Sequence, residues 1–150
     1  MAETRLPLTP KLVESLYTEA MLLADEARAY FDRHGREERD RLGSIVKVGF
    51  SCESLKVTTR LMHVIAWLLT QKAVQAGEIA PSQARRPARR LGEAPESDPD
   101  LVGRLPQSAV ALIEASRELY HRVRRLDEGG LYEAPASPAR SLLSRLERSL

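Results

Sequence analysis

From Phe50 to Ala76 the chain contains no glycine and no proline. Apolar residues recur through this stretch in steps of three and four, the spacing of one continuous helix. Ser44 is a reasonable cap at its start, and Gly77 a natural stop at its end. The 32 residues 45–76 then span about 48 Å at 1.5 Å per residue. Gly49 is the weak point and marks a possible bend. One seam runs through Ile45, Val48, Cys52, Leu55, Thr59, Met62, Ala66, Leu69, Ala73 and Ala76. Such a seam is expected to lie against partner helices. A second stripe, Val57, Leu61, Val64 and Leu68 flanked by Trp67, sits roughly 140° away at 100° per residue. A helix apolar on both sides must be covered on both sides. Neighbouring helices of the same chain can supply that cover, or part of the second stripe is left for another subunit. Val57, Leu61, Val64, Trp67 and Leu68 are therefore the dimer-interface candidates.

Two further helices flank this one. The first opens at Thr9-Pro10, a capping hydroxyl followed by a proline that loses no hydrogen bond at the first helical position. Its apolar stripe is Leu12, Val13, Leu16, Tyr17, Ala20, Leu23, Ala24, Ala27 and Tyr30/Phe31. Gly35 is expected to end it as a residue tolerant of left-handed angles. The charged run 36–41 reads as a linker or as the exposed start of the next helix. The third helix begins near Pro106 and buries Ala109, Leu112, Ile113, Ser116, Leu119, Tyr120, Val123 and Leu126, with Gly129-Gly130 as its end. Between the second and third helices the periodicity dissolves. Prolines 81, 87, 95 and 99 allow at most a short helix in 82–90, and the acidic stretch 93–100 reads as an exposed loop. No alternating strand pattern is present.

The pattern leaves little room for catalytic chemistry. His34, His63 and His121 are scattered, with no histidine or cysteine at metal-ligand spacing. Cys52 is the one cysteine, so no intramolecular disulfide can form, and its place on the seam reads as a small buried hydrophobe. No nucleophile elbow, glycine-rich phosphate loop or Glu-x-x-His pair occurs. No catalytic, metal or cofactor residue is assigned. The N-terminus lacks the apolar core of a signal peptide, and the longest apolar run, 64–69, is far short of a membrane span of roughly 20 residues. A cytoplasmic location is expected. The formal charge of +2, from 23 basic and 21 acidic residues, argues against a dedicated DNA binder.

Three local features remain, of which the first and the last are partner-binding candidates. Arg85, Arg86, Arg89 and Arg90 form a basic cluster with no interleaved aromatics to stack bases. Arg122, Arg124 and Arg125 close the third helix, where cations favour the helix C-terminus electrostatically. In the tail, Leu142, Leu143, Leu146 and Leu150 recur at helical spacing and either pack on the bundle or enter a partner's groove.

The run 51–79 resembles the RcdA family of alphaproteobacteria, regulators of degradation of the cell-cycle transcription factor CtrA. The matching pieces include Glu53-Ser54-Leu55, Thr58-Thr59-Arg60-Leu61-Met62, Ala66-Trp67-Leu68-Leu69 and Gln71-Lys72-Ala73-Val74. Glu26-Ala27-Arg28-Ala29-Tyr30 and Arg125-Leu126-Asp127-Glu128 are similar to the family's first and third helices. The resemblance implies a dimerising helical bundle with no known active site. It also implies an adaptor for the ClpXP protease, working with a response regulator and a second adaptor, and a polar location in the cell.

The expected protein is therefore all-α: an antiparallel three-helix bundle over residues 1–128, with helices near 9–34, 44–76 and 106–128. A flexible loop at 77–105 and a flexible or weakly helical tail at 129–150, with room for a short fourth helix, complete it. The expected function is a non-enzymatic adaptor in regulated proteolysis. A nucleic-acid-associated regulator using the 85–90 arginines, or a structural scaffold, is the alternative.

Overall fold

The computed structural model describes residues 5–6, 8–129 and 132–133. Three long helices dominate it: α1 (Pro10–Ala29), α3 (Ser44–Gln75) and α6 (Gln107–Asp127). Three short helices, α2 (Arg36–Asp40), α4 (Pro81–Ala84) and α5 (Pro99–Val102), lie in the connections. A two-residue antiparallel ladder, β1 (Arg5–Leu6) with β2 (Tyr132–Glu133), brings the two ends of the described chain together. Nothing in the sequence pattern pointed to that ladder.

α1 begins as its sequence dictates. The Thr9 hydroxyl accepts the Leu12 amide at 3.1 Å, and Pro10 occupies the first helical position. Val13, Leu16, Ala20 and Ala27 are buried along one stripe. The helix ends in one wide turn, Tyr30–His34, whose rings stack edge-on with α3: Phe31 lies 5.1 Å from Tyr30 and 5.3 Å from Phe50. Gly35 is not left-handed here, since its φ is −85°. A side chain there would collide with the Tyr30 ring and carbonyl, so close packing is what demands glycine. Left-handed glycines do end the other two long helices, Gly77 at φ 75° and Gly129 at φ 84°. Gly43, not Ser44, occupies the cap position of α3, and no side chain caps that end.

The helices are not all antiparallel. Lys72 pairs with Glu14 and sits over Tyr17, while Phe31 meets Phe50, so α1 and α3 run in opposite directions. Arg60 reaches Ser116, and Trp67 reaches Asp127. Partner numbers rise together, so α3 and α6 are parallel. Parallel neighbours require a crossover running back the length of the bundle, and residues 76–106 make it. Their contacts retrace α3 in reverse: Arg90 meets Asp127, Gly92 approaches His63, Pro95 and Ser97 meet Arg60, and Leu101 packs on Gly49. The segment expected as a free loop is thus a packed strap, with Ala84, Val102 and Leu105 buried. Gly49 marks this crossing and not a bend: α3 is one continuous helix, and a Cβ at Gly49 would overlap the Leu101 side chain.

Candidate functional site

α3 reverses the expected roles of its two stripes. Val57, Val64 and Leu68 have no exposed surface, and Leu61 and Trp67 almost none. They form the core with α1 and α6, so the five dimer-interface candidates are interior to one chain. The stripe expected as core faces outward instead: Ile45 is 84% exposed, Leu55 67% and Met62 64%, with Val48 and Leu69 also exposed. Cys52, expected as a buried small hydrophobe, is exposed on the same stripe.

The reversal has a local cause. The buried face of α3 carries two charged residues, Glu53 and Arg60, which interrupt its apolar spacing. Glu53 is tied to a neighbour on its own helix, whereas Arg60 is tied to groups far away in sequence. Arg60 donates to Ser116 Oγ at 3.2 Å, to the Pro95 carbonyl at 3.1 Å and to Ser97 Oγ at 2.8 Å. It thereby fastens the strap to both parallel helices. Burial lowers the Arg60 pKa, and the nearby Glu53 carboxylate opposes that shift. Glu53 Oε2 accepts from Lys56 at 2.8 Å, while Oε1 has no hydrogen-bond partner.

The exposed stripe is a continuous surface without a charged member. From Ile45 to Leu69 it extends about 36 Å along α3. It merges with a groove of about 390 Å³ between α3 and α1, where Ala24, Phe31 and Ile65 join Leu55 and Met62. Met21 and Leu22 on α1 are exposed as well. These exposed apolar side chains are contiguous, unlike the isolated ones that are ordinary on a protein surface.

The basic candidates divide. Arg85, Arg86 and Arg89 are exposed on the strap. Arg90 instead donates to Asp127 Oδ1 at 2.8 Å, beside the Trp67 indole N–H, which donates to the same oxygen at 2.9 Å. That contact raises the Arg90 pKa through the hydrogen bond and charge of Asp127. Arg122 pairs with Glu19, and Arg124 with Glu93, so the third-helix arginines largely serve the bundle. Leu142, Leu143 and Leu146 lie outside the described residues. Among the described residues no group of three or more histidine, cysteine or acidic side chains is placed to hold a metal, and no helix is long and apolar enough to cross a membrane.

Comparison with known proteins adds the family. Residues 5–150 match the family described as "Protein of unknown function (DUF1465)". The structure is similar to the crystal structure of RcdA from Caulobacter crescentus CB15, with a TM-score of 0.66 and 35% sequence identity. That likeness covers 84% of this chain and 96% of the other. No curated protein matches. A match over nearly the whole chain, joined to a shared fold at this identity, places it: the chain belongs to the DUF1465 family, the family of RcdA.

Proposed function

We propose that the protein is a non-enzymatic adaptor in regulated proteolysis, bringing substrates or further adaptors to the ClpXP protease in cell-cycle control. The observation that carries this reading is the charge-free apolar face of α3, exposed on a fold similar to RcdA. An adaptor works by docking surface alone, and this face offers it without any assembled catalytic group.

The same face suits a second copy of the chain. In an antiparallel pair about a two-fold axis, Val48 would meet Ala66, Cys52 would meet Met62, and Leu55 would meet Thr59, large side chains against smaller ones. A two-fold interface of this kind uses one patch twice and is self-complementary. The homodimer is therefore assigned to the outer stripe of α3. Leu142, Leu143 and Leu146 remain the proposal's candidates for a detachable docking segment.

The nucleic-acid alternative is weakened at Arg90, one of its four arginines, which is tied to Asp127 of the same chain. The deciding experiment is affinity capture of the tagged protein from its native cell. Recovery of the ClpX unfoldase by the wild type, with loss in L55E/M62E, is the expected result. Capture without ClpX from cells that contain it contradicts the adaptor reading.

A further inference from the structure

The opposite flank of α3, away from α1, carries a second surface. Here the strap crosses the end of the bundle through α4 and the turn Pro87–Arg89. Arg85, Arg86 and Arg89 are exposed, and their side chains form no ion pair among the described residues. Their surroundings behave differently, since Arg90 and Arg124 nearby are each matched to a carboxylate. Two of these cations, Arg85 and Arg89, border two clefts, of which the smaller is mainly apolar. The larger, about 680 Å³, lies between α3 and residues 87–93, with Ala66, Trp67, Pro87 and Leu91 in its walls and Arg89 at its rim. The smaller, about 330 Å³, lies across the Arg90–Asp127 pair, with Val74, Ala84 and Leu126 in its walls and Arg85 at its rim.

We propose that this surface docks an acidic, extended segment of a partner protein. Its carboxylates would lie on Arg85, Arg86 and Arg89, and an apolar side chain would enter the smaller cleft, against Val74, Ala84 and Leu126. Charge decides the occupant. The carboxylates already present, Asp127, Glu93 and Glu128, face Arg90 and Arg124, so the excess at the rim is positive. The chain's own segment 134–150 is the wrong ligand, because it carries three arginines against one glutamate. A nucleic acid would find no stacking platform, since Trp67 is buried with its ring N–H held by Asp127. An apolar cleft beside exposed cations matches a peptide that presents both kinds of side chain.

The inference rests on the adaptor reading only in taking the ligand to be a protein. Its test is a fluorescence-anisotropy titration of the full chain. The probe is a short labelled peptide of aspartate and glutamate around a central leucine pair. Wild type is expected to bind, and to weaken several-fold as salt rises from about 50 to about 300 mM. R85Q/R86Q/R89Q is expected to lose about tenfold in affinity. R36Q/R41Q/R104Q removes equal charge from exposed arginines elsewhere and is expected to bind as wild type does. No binding by wild type, equal losses in the two triple variants, or equally tight binding of duplex DNA would each overturn the proposal. L55E/M62E separates the two surfaces: it disables the α3 stripe, yet should bind this peptide unchanged.

Discussion

The two faces of α3 have the same helical spacing and opposite fates. One buries Phe50, Val57, Val64 and Leu68 together with Glu53 and Arg60; the other exposes Ile45, Val48, Leu55 and Met62 with no charge among them. Hydrophobicity alone did not choose the buried face. Bulk and pairing did: Phe50 and Trp67 fill the space between three helices, and Arg60 finds three acceptors across the interface. A face built of Cys52, Thr59, Ala66 and Ala73 has less volume to fill a core, but it lets another helix approach closely.

The sharpest way to break this contrast is to place the same charge on each face. Val64→Asp buries an unpaired carboxylate and should cost about 4–5 kcal/mol or more, enough to unfold a marginal domain. Leu55→Glu should change the stability of the isolated chain by no more than about 0.5 kcal/mol. Urea denaturation of both variants checks the pair. Similar losses would mean that the faces are not distinct.

Arg60 tests why a charge belongs on the buried side. Arg60→Ala removes the donor to Ser97, Ser116 and the Pro95 carbonyl, and should cost about 3 kcal/mol. Hydrogen exchange should show the added opening in residues 93–100 before it appears in α1, because Arg60 fastens the strap there. Uniform loosening would deny that role.

A smaller effect is expected where the strap crosses α3. In an open helix Gly→Ala gains about 1 kcal/mol. At Gly49 the new Cβ would overlap Leu101, and overpacking costs about 1–3 kcal/mol. Gly49→Ala should therefore destabilise by about 1 kcal/mol, and a stabilising result would remove the close crossing.

The smallest effect lies at the end of α1. Burial, then the hydrogen bond to Glu38, raises the Tyr30 pKa well above its ordinary value of 10.0. The folded state therefore holds this proton more tightly than the unfolded chain. The resulting stability is present in full below about pH 10 and is lost as pH rises further. Tyr30→Phe should flatten the alkaline fall in thermal midpoint and leave the neutral-pH curve little changed.

These differences explain what was legible in the sequence. The stripes of α1 and α6 were readable because each helix is amphipathic once, with charge confined to the solvent side. Every expected α6 core position from Ala109 to Leu126 is buried. The core face of α3 is not legible because Glu53 and Arg60 disguise it, and their partners lie on the strap, on α6 or on the same helix. The bulkiest aromatics, Phe50 and Trp67, were the available signal, since large rings seldom line a solvent face. The parallel course of α6 was not legible. It depends on the path of residues 76–106, which is set by contacts such as Arg60 with Ser97 and Tyr120 with the Gly92 carbonyl. The exposed stripe is legible as apolar, but its exposure is not, because bulk and the partners of Arg60 choose the other face.

If the outer face of α3 docks and the inner face is core, charge on the outer face should separate a dimer without unfolding the chain. Sedimentation equilibrium at micromolar concentration, comparing wild type with L55E/M62E, tests it most directly. Wild type should sediment at twice the chain mass and the variant as a folded monomer, with equal helical content. A monomeric wild type, or a variant that stays dimeric, would contradict it.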